Sequence, residues 1–305
     1  MLVNTKKMLL KAQEEGYAVG HFNSSNLETT KAIIEAAVEL NSPVIVATSK
    51  SAIEYYGLKE IYTTTRELVG KLSIPVALHL DHGPDYNLAK KCLNIGYTSV
   101  MIDTSKETFK KNVQITKKVV KYARELNASV EAEIGRLKGI EDQISSKEHV
   151  LTQPNEALEF VKATDCDSLA IAIGTSHGAY KFKGKTKLDF ERLKNIRELV
   201  KIPLVLHGAS SVYQEEVKKL TKYGGSLKNA HGVSDYELKR AIGYGICKIN
   251  TDTDLRIAFD MELRKFLKEN KSEIDVRKIL GNAYGHVKEI VEKKIKIFGS
   301  EGKAY

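Results

Sequence analysis

Eight short apolar runs rich in β-branched residues punctuate this chain, and longer amphipathic stretches separate them. The runs are YAVGHF (17–22), PVIVAT (43–48), PVALHL (75–80), TSVMID (98–103), ASVEAEI (128–134), DSLAIAIG (167–174), PLVLHG (203–208) and GICKIN (245–250). Runs of this length read as buried strands, whereas NLETTKAIIEAAVELN spaces its apolar residues as a helix does, with Asn26 or Ser25 available as its cap. Proline or glycine marks the turns before strands, at Ser42-Pro43, Ile74-Pro75, Gly96-Tyr97 and Ile202-Pro203. Strands alternating with helices form a parallel sheet, and eight of them close it, which predicts an α/β fold, a single (β/α)8 TIM barrel. MLVNTKKMLLKAQEEG adds a helix in front. The last 35 or so residues add another outside the barrel, with IKIFGSEGKAY as a fraying tail. No repeat and no compositional break divides the chain, so residues 1–305 read as one domain.

Composition narrows the class. A length of 305 residues suits one barrel, and 42% hydrophobic residues can fill its core. No stretch approaches the roughly 18 apolar residues that span a bilayer, and the opening residues lack a signal-peptide pattern, so a soluble, cytoplasmic protein without a membrane partner is expected. Cys92, Cys166 and Cys247 lie far apart, which suits a reducing compartment and gives no thiolate cage. The net charge of +9 invites a nucleic-acid reading. The lysines, however, are spread over amphipathic stretches such as FKKNVQITKKVVKYARELN, where they solvate outer faces, and no nucleic-acid partner is expected. A positive field also favours an anionic, phosphorylated substrate. Two irregular stretches, 135–153 and 224–234, have the length of lids or site walls.

In such a barrel the reacting groups follow the carboxyl ends of the strands. The third run ends in Asp81-His82-Gly83, the fifth carries Glu131 and Glu133, and Gly174-Thr175-Ser176-His177-Gly178 follows the sixth. The seventh ends in His207-Gly208-Ala209-Ser210-Ser211 and the eighth in Asn250-Thr251-Asp252-Thr253-Asp254. One histidine at a strand end is usually a hydrogen-bonded core residue; three at corresponding positions point to a three-nitrogen zinc site open to a substrate oxygen. His79 reads as core or a support for the site. His21, His149, His231 and His286 lack comparable company, although His231 lies in the second irregular stretch. Lys248, the one lysine within an inner strand, reads as structural, which disfavours a Schiff-base mechanism. No dinucleotide or nucleotide phosphate-loop motif occurs.

Taken together, HFNSSN, LHLDHG, VEAEIG, IEDQ, AIGTSHGAYK, LVLHGASS, KINTDTDLR, VRKIL and GSEGKA resemble the class II, metal-dependent fructose-bisphosphate aldolases and their relatives, the tagatose-bisphosphate aldolases, over essentially the whole chain. The resemblance implies reversible cleavage of fructose 1,6-bisphosphate to dihydroxyacetone phosphate and glyceraldehyde 3-phosphate, with tagatose 1,6-bisphosphate as the alternative substrate. It implies zinc held by His82, His177 and His207, with Glu133 able to join, and a possible monovalent cation. Asp81 resembles the acid/base at the C4 hydroxyl, and Glu141 the group that moves the dihydroxyacetone-phosphate proton. Gly178, Lys181, Gly208, Ser210, Asn250 and Thr253 match the phosphate cradle, and Asn23 and Ser49 line the same pocket in relatives. Arg256 and Arg277 resemble the arginines that bind the far phosphate, one of them from a neighbouring subunit, which implies a homodimer or homotetramer. Asp252 stands where tagatose-preferring relatives tend to carry alanine; it reads either as a selector of sugar configuration or as a cap for the helix after it. Three departures are visible: LKGIED before the loop acid, GASS for the commoner GGSG, and Ser176 where alanine is frequent. A metal hydrolase on the same scaffold and a non-catalytic phosphate- or RNA-binding barrel are the rival readings.

Overall fold

The computed structural model describes residues 2–136, 138–141, 144–146, 150–177, 187–227 and 230–305, with side chains omitted for 138–141, 144–146 and 177. Within it the eight apolar runs become the eight strands of a closed parallel barrel. In chain order the strands are β1 (Val19–Asn23), β2 (Val44–Thr48), β3 (Val76–Gly83), β4 (Ser99–Ile102), β5 (Ser129–Ile134), β6 (Lys138–Glu141), β7 (Ile144–Ser146), β8 (Ser168–Ile171), β9 (Ser176–His177), β10 (Leu204–Leu206) and β11 (Ile246–Thr251). The barrel runs β1-β2-β3-β4-β5-β8-β10-β11 and closes by pairing β11 with β1, His21 lying beside Asn250. Its strands are buried almost throughout, as a sheet covered on both faces must be.

The helices are α1 (Thr5–Glu15), α2 (Leu27–Glu39), α3 (Lys50–Tyr56), α4 (Leu58–Val69), α5 (Tyr86–Ile95), α6 (Phe109–Glu125), α7 (Pro154–Thr164), α8 (Phe190–Leu199), α9 (Gln214–Lys222), α10 (Asp235–Gly243), α11 (Thr253–Glu269) and α12 (Val276–Phe298). Their starts obey local chemistry. Asn26 caps α2 in a reciprocal capping box with Thr29, and Asp85 caps α5 by accepting from the Leu88 N–H at 2.9 Å. Asp85 thus fills the capping role, and Asp81 remains inside β3.

Two expectations about the chain's ends and loops need correction. The C-terminal tail is docked, not frayed: the Gly302 and Ala304 N–H groups donate to the Leu40 and Asn41 carbonyls, and Ser300 is fully buried against Ser42. Those carbonyls at the end of α2 need donors, and the tail supplies them. The stretch 135–153 is partly ordered as sheet. β6 pairs antiparallel with β7 and parallel with β9, Gly139 lying beside His177.

Candidate active site

The strand register brings the predicted groups to one end of the barrel. Period-two alternation aims Asn23, Asp81, Glu133 and Asn250 inward from β1, β3, β5 and β11. Asp81, His82, His207, Gly208, Ser210, Asn23 and Asn250 line one small cavity there. Gly208 is left-handed (φ 60°), and a Cβ on it would lie 2.5 Å from the Ser176 carbonyl. That close approach seats the backbone of β9, and hence of His177, beside His207.

Two imidazoles face each other across this cavity. His82 Nδ1 is 2.8 Å from Asp103 Oδ2, and its Nε2 is 2.8 Å from His207 Nδ1. His207 Nε2 is in turn 2.7 Å from Glu131 Oε1. Each ring therefore has its outer nitrogen held by a carboxylate, while the inner nitrogens converge. This is the arrangement by which carboxylates orient metal-binding histidines. Asp81 joins the two rings in one group of closely spaced ligand atoms, and Asp103 and Glu133 form a second group around His82. Among the described residues, Glu133 Oε2 is buried without a hydrogen-bond partner. The residues present fit a metal ion: two oriented imidazole nitrogens, a carboxylate oxygen that lacks a donor, and β9 close by.

Electrostatics divide the carboxylates. Burial disfavours charge on Asp81, yet His21, His82 and His207 hold its carboxyl well below the usual range. Glu131 is likewise held low against burial, by Lys248 and His207. Burial, reinforced by the Asp103 charge, pushes Glu133 well above its ordinary value. His82 rises to about 10 despite burial, because Asp81 and Asp103 favour its charged form. His207 falls to about 4 through burial and the neighbouring His82. The proton on His82 must leave before its Nε2 can bind a metal.

Asp81 is clamped by two amides. Asn23 Nδ2 donates to Oδ2 at 2.8 Å and Asn250 Nδ2 to Oδ1 at 3.3 Å. His21, which the sequence reading passed over, lies 3.0 Å from Asn23 Oδ1 and 3.6 Å from Asp81 Oδ1. Lys248 is more than inert core: fully buried, it reaches Glu131 at 2.9 Å and Asn250 Oδ1 at 2.8 Å. The signal for both was the alternation itself, because each precedes a chosen residue by two positions on the same strand.

The other predicted residues scatter. Asp252 does not cap α11 with its side chain; the carboxylate pairs with Arg256 at 2.8 Å, and the pair borders a cleft beside Asn23. The helical cap reading of Asp252 is set aside on that geometry. Thr253 opens α11, and Ser49 caps α3, its hydroxyl engaged by the Ala52 N–H. Arg277, at the start of α12, is exposed and paired with Asp275 of its own chain, so it is not brought to this cavity. Gly178 and Lys181 lie outside the described residues, as does His149, and so do the side chains of Glu141 and His177.

A family model described as "Fructose-bisphosphate aldolase class-II" matches residues 3–303. A fructose-bisphosphate aldolase of Thermus caldophilus is 49% identical over 306 residues, covering all of both chains. One from Helicobacter pylori is also 49% identical, over 99% of this chain and all of the relative. Among solved structures, the YdjI aldolase from Escherichia coli K12 superposes with a TM-score of 0.83 at 33% identity, covering the whole of both chains.

Proposed function

The chain belongs to the class II fructose-bisphosphate aldolase family, a lyase family that depends on a metal, and from that membership we propose which metal and which residues do its work. The metal is zinc, held by His82, His207 and His177, with Glu133 within reach. The observation that carries this reading is the pair of imidazoles whose inner nitrogens lie 2.8 Å apart while carboxylates hold the outer ones. Zinc, when bound, supplies Lewis-acid polarisation of the substrate carbonyl and stabilises the negative charge that cleavage leaves behind.

The chain's own groups supply the rest. Asp81, ionised and fixed between two amides, takes the C4 hydroxyl proton as the C3–C4 bond breaks and glyceraldehyde 3-phosphate departs. Glu141 returns a proton to C3 of the remaining half, which leaves as dihydroxyacetone phosphate. Gly178, Lys181, Gly208, Ser210, Asn250 and Thr253 cradle the first phosphate, with Asn23 and Ser49 in the same pocket. Arg256 and Arg277 serve the second phosphate.

One domain, residues 1–305, forms this site, and two copies complete it. Ile274 is 89% exposed and Val276 65%, both just ahead of the outward Arg277, while Leu255, Phe259 and Leu263 line the cleft that Arg256 and Asp252 border. An apolar corner carrying an arginine suits an apolar cleft next to a neighbouring site, so a homodimer, or a tetramer built from it, supplies Arg277 in trans. A cytoplasmic location is part of this reading; among the described residues, no helix is long and apolar enough to cross a membrane.

Chelation tests the metal. Removal should abolish cleavage of fructose 1,6-bisphosphate, zinc should restore it, and borohydride with substrate should leave no adduct on any lysine. Activity that survives exhaustive chelation and is trapped by borohydride would refute the assignment. Mixing Arg277→Ala with Asp81→Ala subunits tests the shared site: some activity should reappear in mixed dimers, and a fully active monomer in the ultracentrifuge would exclude it.

A further inference from the structure

Lys294, in the last third of α12, is fully buried, although the cleavage chemistry has no use for it. A buried ammonium must be paired. Its Nζ lies 2.8 Å from Asp254 Oδ2 and donates to Ser211 Oγ at 2.7 Å, and the Tyr213 ring centre is 4.8 Å away. Asp254, in the first turn of α11, accepts two consecutive backbone N–H groups, from Ser211 at 2.8 Å and from Val212 at 2.7 Å. Asp235 ties the same turn from the other side, accepting from the Ser211 and Tyr213 hydroxyls at 3.0 Å each.

This network holds a conformation that valine does not choose. Val212 is left-handed, with φ 49°, which is a steric outlier for a β-branched residue. Such a residue keeps that geometry only where its surroundings over-determine it. The strained turn closes the segment Gly208-Ala209-Ser210-Ser211 that leaves β10 through His207. Gly232 packs onto that segment so closely that a Cβ would sit 2.1 Å from the Ser210 carbonyl, which also accepts the Val233 N–H at 3.0 Å. Gly208 and Ser210 line the cavity beside Asp81, and Asp254 and Lys294 stand behind them.

We infer that Lys294 is a positioning residue for phosphate binding: through Asp254 and Ser211 it keeps Val212 left-handed and so sets the Gly208–Ser210 loop. The inference rests on the reading of that loop as part of the phosphate cradle. Lys294 neutralises the buried Asp254 carboxylate, which in turn fixes two successive N–H groups. Without the ammonium the carboxylate turns towards water, its hold on both N–H groups slackens, and Val212 relaxes out of the left-handed region. The loop then turns, and the groups facing a phosphate turn with it. Phosphate is held in the ground state and the transition state alike, so the loss falls on KM and not on kcat.

The test compares Lys294→Met, Lys294→Arg and Ser210→Ala in the zinc-loaded enzyme. Lys294→Met should raise KM for fructose 1,6-bisphosphate and the inhibition constant of inorganic phosphate together by about tenfold, with kcat changed less than about threefold. Lys294→Arg should recover part of both. A role confined to stability would lower Tm and leave both constants unmoved, which overturns the proposal. Should Lys294→Met fail to fold, the double variant Lys294→Met/Asp254→Asn buries no unpaired charge, and its amide oxygen accepts from the two N–H groups more weakly than a carboxylate does. The same rise in KM is then expected, and an unchanged KM refutes the idea. Ser210→Ala separates the two layers. If it raises KM while Lys294→Met does not, the cradle stands and the Lys294 proposal falls; if neither variant moves KM, both fall.

Discussion

At the N-terminal end of the barrel, Asp167 stands just ahead of β8; at the C-terminal end, Glu133 lies on the neighbouring strand β5. Asp167 accepts from Arg124 at 2.8 Å on both oxygens and from the Val130 N–H at 2.9 Å, and Lys6 lies 3.1 Å away. Around it, Thr5, Ser99 and Ser129 share hydroxyl hydrogen bonds that tie α1 to β4 and β5. Glu133 is as deeply buried, yet among the described residues its Oε2 has no hydrogen-bond partner, and burial drives it towards the neutral form. One carboxylate is saturated by donors and pins the scaffold. The other is denied them, which leaves an oxygen for a cation to claim. Chemistry collects at the end of the barrel where polar groups are left short of partners, and that shortage is a cost in stability that the saturated end helps to offset.

The largest expected effect breaks the chemistry and spares the fold. Asp81→Ala should lower cleavage by about 10²–10⁴, the worth of a positioned acid/base group, while the protein keeps its metal. His82→Ala should lose zinc along with activity. Normal turnover by Asp81→Ala, or full zinc content in His82→Ala measured by metal analysis, would contradict the division of roles.

A paired substitution sharpens the comparison itself. Asp167→Ala strands the Val130 N–H and takes from Arg124 its two-oxygen partner, leaving it the Asp165 carbonyl, so it should cost roughly 1–3 kcal/mol of stability, a fall of several degrees in Tm, with kcat intact well below the transition. Glu133→Gln should do the reverse. An amide has the shape of the neutral acid that burial already favours there, so the metal-free Tm should hold or rise, while zinc affinity drops by about 10–100-fold. Equal effects of the two changes on Tm and on zinc titration would erase the distinction.

The smallest effect concerns a third polar cluster, between α9 and α12. His286 on α12 contacts Glu216 at 2.7 Å and Glu289 at 2.9 Å. The Glu216 bond raises the histidine, and the His286 bond lowers Glu216 to about 2. A raised histidine contributes stability in full below its unfolded value of about 6.5 and loses it as pH climbs through the folded value. A depressed carboxylate contributes above its unfolded value of about 4.3 and loses it as pH falls towards 2. The pair is therefore most stabilising between those two unfolded values. His286→Gln should cost on the order of 1 kcal/mol near pH 5–6 and progressively less in alkaline buffer. A Tm difference independent of pH would show that the contact is packing and not charge.

Much of the architecture was legible from the chain alone. Each of the eight runs coincides with a barrel strand to within a few residues, because a strand covered on both faces must be apolar nearly throughout. Asp81, His82, Glu133, His207 and Asn250 were legible too, since polar residues at the carboxyl end of such a run have only one rim to occupy. What escaped was the layer beneath. His21 and Lys248 each precede a recognised residue by two positions and point to the same face, but inside an apolar run a single polar side chain looks like an accident; Glu131 was visible beside Glu133, but its partners Lys248 and His207 were not. Asp103, at the end of the fourth run, escaped because nothing in the sequence announces which histidine it will meet.

The sequence by itself determined the period: which residues are strand, which face of each strand is inward, and which polar groups reach the rim. Those are local consequences of pleat and burial, and they need no knowledge of neighbours. Only the tertiary structure decided partnership. His82 and His207 are 125 residues apart, yet their nitrogens stand 2.8 Å from each other. Lys294 reaches a loop 83 positions earlier, and the tail after α12 caps the end of α2. Partnership also sets charge, since an acidic side chain in an apolar strand can be held towards the anion, as Glu131 is, or pushed towards the neutral form, as Glu133 is. The difference is the closing of the barrel, which puts Lys248 against Glu131 and sets the Asp103 carboxylate near Glu133.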